Sequence, residues 1–102
     1  MARTIKVSFY DKDYTIEFDR SSVRYVLEHT KEDGMQQAIV LIKGGLLKHH
    51  KNELPSDDDI FGWIMAMGKE MTEFASALQE MVQEVLKAFE DDRKNFKWAK
   101  VN

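Results

Sequence analysis

The sequence predicts an α+β domain: an N-terminal β-hairpin packed on helices, and a long amphipathic C-terminal helix. Three observations predict it. Two short stretches near the N-terminus alternate apolar and polar residues. The segment from about Met35 to His50 is apolar all round at its centre. Ile60, Ile64, Met67, Met71, Phe74, Leu78, Met81 and Val85 follow one another at steps of four and three, a heptad seam on a helix.

The hairpin comes first. Ile5, Val7 and Phe9 alternate with Thr4, Lys6 and Ser8, and Tyr14, Ile16 and Phe18 alternate with Thr15 and Glu17. A turn centred on Asp11-Lys12 pairs Phe9 with Tyr14, Val7 with Ile16 and Ile5 with Phe18. All three pairs fall on one face, which needs a helix to cover it. The turn lacks the glycine that a two-residue loop favours, so a longer or bulged loop is also open.

Asp19-Arg20-Ser21-Ser22 ends the second strand and offers several helix N-caps. A short helix should run from about Val23 to Thr30, with Val23, Val26 and Leu27 inward. Gly34 closes a polar break. The helix from Met35 to His50 should be the most buried, through Ala38-Ile39-Val40-Leu41-Ile42. Gly44-Gly45 inside it costs about 1 kcal/mol per glycine relative to alanine. That cost is tolerable if another backbone packs closely there; otherwise the helix should kink.

Ser56 and Asp59 form a capping-box pattern at the start of the long helix, and Asp57, Asp58 and Asp59 suit its dipole. Beside the seam runs a second row, Phe61, Gly68, Ala75, Val82 and Phe89. The opposite face is polar: Lys69, Glu73, Ser76, Glu80, Gln83, Lys87 and Glu90. This wide stripe must lie against the chain's own N-terminal half, a second copy or another protein. A straight helix from Asp57 to Asp91 would reach about 50 Å, against a radius of gyration of about 13 Å for a compact domain. A break near Gly68 is therefore favoured over a projecting rod. Residues 1–92 make one domain, and residues 93–102 a basic, aromatic C-terminal tail.

Composition narrows the function. A net charge of −3 over 102 residues gives no basic excess for general nucleic-acid binding. The absence of cysteine excludes disulfides, thiolate zinc sites and cysteine nucleophiles. There is no signal-peptide core, and no run approaches the roughly 20 apolar residues of a membrane span. A soluble intracellular protein is expected.

No catalytic constellation is visible, and no enzyme, cofactor or metal is expected. His49 and His50 are adjacent, so on a helix they diverge by about 100° and do not chelate as an i, i+4 pair does. Asp57-Asp58-Asp59 lacks the spacing, glycine and closing glutamate of a calcium loop. Ser21-Ser22 has no glycine elbow, and Gly44-Gly45 has no phosphate-loop context. Four residues point instead to partner binding. Trp63 and Met65 lie off the main seam, where they either close a wide core or face a partner. Phe96 and Trp98 lie in the tail, where aromatics call for docking on the chain itself or on a partner.

Two blocks resemble a family of small phage and prophage tail assembly chaperones. The first is Phe9-Tyr10-Asp11-Lys12, then Tyr14-Thr15-Ile16-Glu17-Phe18-Asp19-Arg20 and Ser22-Val23. The second is Gly44-Gly45-Leu46-Leu47-Lys48-His49-His50, with glycine at 45 where the family pattern suggests alanine. The resemblance implies a host-cytoplasmic protein that holds the tape measure protein soluble and helps recruit tail tube protein. It assigns no role to the histidine pair. Two rival readings are a self-associating structural or head–tail connector protein of a phage and a small regulator that binds a host protein. The first allows a homo-oligomer.

Overall fold

The computed structural model describes residues 3–101. Strands β1 (Thr4–Phe9) and β2 (Lys12–Glu17) form an antiparallel two-stranded sheet. Helices α1 (Arg20–Glu28), α2 (Gly34–His50), α3 (Asp57–Met67) and α4 (Met71–Arg93) follow, with a three-residue 3-10 turn, Gly68–Glu70, between the last two. The α+β class holds.

The hairpin register differs from the expectation by two residues. Ile5 pairs with Ile16 and Val7 with Tyr14, and the loop is Tyr10-Asp11. Both loop residues have positive φ, 49° and 62°, as a type I′ turn requires. Asp tolerates that region, whereas Tyr rarely adopts it. A two-residue shift leaves every side chain on its predicted face, because the strand period is two. Phe18 therefore has no partner in β1; it lies beyond the sheet and is buried in the core.

Asp19, rather than either serine, caps α1. Its carboxylate accepts the Ser22 N–H at 2.9 Å and the Ser22 hydroxyl at 3.0 Å. The helix thus starts three residues before Val23. Val23 and Val26 turn inward as expected, but Leu27 is exposed. Asp33 caps α2, and Ser56 with Asp59 makes the expected capping box on α3.

α2 is the centre of the molecule. It packs against β2, α1, α3 and α4, and buries Ala38, Val40, Leu41, Ile42 and Leu46. Gly44 and Gly45 are what let β2 and α1 approach. A Cβ on Gly44 would stand 2.6 Å from Val26 Cγ2, and one on Gly45 would stand 2.4 Å from Ile16 Cγ2.

The wide stripe is answered by the chain's own N-terminal half. Ile60, Ile64, Leu78, Met81 and Val82 are buried, and Met67, Met71, Phe74 and Val85 pack around them. The predicted polar face is exposed throughout. The break falls at Gly68, with φ 56° and ψ −120°. Those angles suit the first central residue of a type II′ turn, which glycine adopts without strain. The molecule measures 58 × 29 × 26 Å. At about 1.5 Å per residue α4 is about 35 Å long. Among the described residues, no helix is long and apolar enough to cross a membrane.

Candidate functional site

The four residues singled out for partner binding separate into two environments. Trp63 is 4% exposed. Its ring packs on Tyr14 at 4.8 Å and Phe9 at 5.9 Å between centroids, closing the core over the hairpin. It belongs to the fold, and of the two readings left open the core reading applies to it. Met65, on the outer side of α3, is 62% exposed. Phe96 and Trp98 are 72% and 79% exposed. The structure does not bring Met65 together with the tail aromatics into one packed cluster.

The tail starts as a short turn. The Asn95 N–H donates to the Asp92 carbonyl at 3.0 Å, and the Phe96 N–H donates to the Arg93 carbonyl at 3.2 Å. From there to Val101 the described chain has no regular structure and every residue is exposed. Lys94, Lys97 and Lys100 alternate with Phe96, Trp98 and Val101. The segment combines β-prone apolar side chains with positive charge, a pattern suited to binding in an extended form along an apolar, acidic groove.

The histidine pair has a structural role that its spacing only half revealed. His49 Nε2 lies 3.0 Å from Glu17 Oε1, and Lys48 donates to the other Glu17 oxygen. His50 Nε2 accepts the Thr15 N–H at 2.9 Å, which places its own proton on Nδ1. The divergence of neighbouring helical side chains sends one ring to a carboxylate and the other to the backbone of β2. Together they clamp the end of α2 to the strand. The Lys48 ammonium, then His49, holds the buried Glu17 carboxyl below its ordinary range. Glu17 was not legible as a clamp, because its partners lie 31 and 32 residues away.

The acidic run is similarly committed. Asp59 completes the capping box, and Asp57 accepts from Lys43 at 2.7 Å, which raises the lysine pKa. Among the described residues no three His, Cys, Asp or Glu side chains are grouped to hold a metal ion.

Two open grooves flank the start of α2 and share Met35. One, of about 500 Å³, lies between α2 and the start of α4, over Ala38, Leu41, Met71 and Ala75. The other, of about 790 Å³, lies between α2, the end of α1 and the start of α3, and is lined by Tyr25, Ile39, Phe61, Asp57 and Asp58.

The whole sequence, residues 1–102, matches the family model described as Domain of unknown function (DUF5055). The chain belongs to this family. No curated protein and no solved structure matches it. In this DUF5055 member the surface features open to a partner include the tail, the outer side of α3 and the two grooves.

Proposed function

We propose that this DUF5055 protein is a phage tail assembly chaperone, acting in the host cytoplasm by binding tape measure protein, tail tube protein or both. The reading rests on the two resembling blocks and on one structural observation. The domain covers the heptad seam of its apolar stripe, with Phe61 and Phe89 exposed at the edge, and leaves Phe96 and Trp98 exposed beyond α4. The seam itself is then not the client surface. The second block, Gly44 to His50, packs α2 onto β2 and α1, so it supports kinship of fold rather than locating a site.

The same geometry supports function by binding. Exposed aromatics supply anchors, and neighbouring lysines favour acidic flanks on the client. A short extended segment makes a small contact, which suits a client that must later be released.

The test is an affinity pull-down from cells producing phage, comparing the full chain with one ending at Asp92. The full chain should recover tape measure or tail tube protein, and truncation should lower recovery at least tenfold without moving the thermal midpoint. Undiminished recovery would remove the tail from the mechanism. Recovery of only a single host protein, or only of further copies of this chain, would overturn the chaperone reading.

A further inference from the structure

We infer that the C-terminal tail of one copy docks in the groove between α2 and the start of α3 of a second copy, joining copies head to tail. The inference concerns only this chain, and it uses the same tail that the proposed function gives to a client, so the two contacts are alternatives for that segment.

Charge divides the molecule sharply. Residues 93–102 carry four Lys or Arg and no acid, whereas residues 1–92 carry eleven Lys or Arg against eighteen acids. A tail of +4 is thus attached to a body of −7. The groove combines both properties the tail lacks a partner for. Its apolar lining includes Met35, Ile39 and Phe61, and Phe61 is exposed. Its acids are Asp33, Asp57 and Asp58, facing Lys31 and Lys43. Lys43 is already bonded to Asp57. Asp33 accepts the Gln36 N–H as the α2 cap, and Asp58 forms no ion pair among the described residues, so Asp58 is the rim carboxylate with charge to offer Lys97 or Lys100.

The two halves of the contact sit at different ends of α1. Arg20, at its start, bonds Asp92 at 2.9 Å, so the tail leaves the body there. Tyr25 and His29, toward its other end, line the groove. Among the described residues of the single chain the tail is exposed and occupies no groove. Complementary surfaces at separate places on one chain generate a heterologous interface, which propagates to a ring or an open string of copies. So short a segment buries less than the about 1,200 Å² of a stable complex, so association should be weak, in the micromolar range.

Sedimentation velocity of the full chain from about 5 to about 500 μM tests this. The mass should rise with concentration past the dimer, and about 0.5 M salt should raise the apparent Kd several-fold. Trp98→Ala removes a tail anchor, and Asp58→Lys with Phe61→Ala spoils the groove. Far-ultraviolet dichroism and thermal midpoints check that both variants fold. Each variant alone should stay monomeric. An equimolar mixture should give a dimer and nothing larger, because one variant supplies the intact groove and the other the intact tail. A wild-type chain that is monomeric throughout, association that survives either change, or a mixture that stays monomeric would each overturn the inference.

Discussion

Trp63 and Trp98 have the same side chain and opposite fates. Trp63 is sealed against Phe9 and Tyr14, and Trp98 stands in solvent beyond α4. Their difference separates what this chain uses to fold from what it has left for others. Everything that closes the body converges on α2 and the hairpin. Among the described residues, nothing on the body covers the tail.

The contrast can be broken most severely at Trp63. Trp63→Ala should cost about 3–5 kcal/mol, because a large buried ring leaves a cavity between α3 and the sheet. Equilibrium urea unfolding measures it, and a loss under about 1 kcal/mol would mean that the hairpin does not pack there. Next comes Gly45→Ala. The added Cβ meets Ile16 at 2.4 Å, and Ile16 is fully buried. Overpacking of this kind costs about 1–3 kcal/mol. A gain instead, of the size that alanine brings to a free helix, would show that β2 can move away from α2.

Gly68→Ala probes the other use of glycine. Open space surrounds Gly68, so its backbone, not its neighbours, sets the cost. At φ 56° and ψ −120° alanine is strained by about 1–2 kcal/mol. If α3 and α4 were one continuous helix, the same change would stabilise, and thermal melts distinguish the two signs. The smallest effect is acid-dependent. Glu17 has a folded pKa below its ordinary value of 4.5. Its stabilising contribution is therefore complete above about pH 4.5 and is lost as pH falls through the lower folded value. Asp19, held low by the Ser22 N–H, acts in the same direction. The thermal midpoint should fall below about pH 4.5, and Glu17→Gln should remove part of that slope. An unchanged slope would mean that the α2 clamp does not form in solution.

Much of the body was legible in the sequence. The heptad seam, its polar face and the break at Gly68 were readable, because length and periodicity leave few alternatives for so wide a stripe. The sheet faces were readable too, but the register was not. Alternation has a period of two, so pairings that differ by two residues look identical, and Tyr10 in a left-handed conformation gives no familiar turn signal. The sequence leaves Trp63 open between core and partner face, because it lies off the seam. Its partners, Phe9 and Tyr14, arrive from the far end of the chain. Glu17 escaped notice for the same reason: alternation marks it as outward-facing, and only the end of α2 makes that side buried. The tail's own pattern provides no face to bury, and its described residues are exposed.

On the proposed chaperone reading, a closed body presents a free tail to a client. Acrylamide quenching of tryptophan emission at low micromolar concentration tests it most directly, comparing the wild type with Trp98→Phe. The wild type should show one shielded and one freely quenched tryptophan, and Trp98→Phe only the shielded one. Adding tape measure protein should shield the second without affecting the first. A Trp98 already shielded in the free monomer, or one still fully quenched with the client bound, would contradict the account.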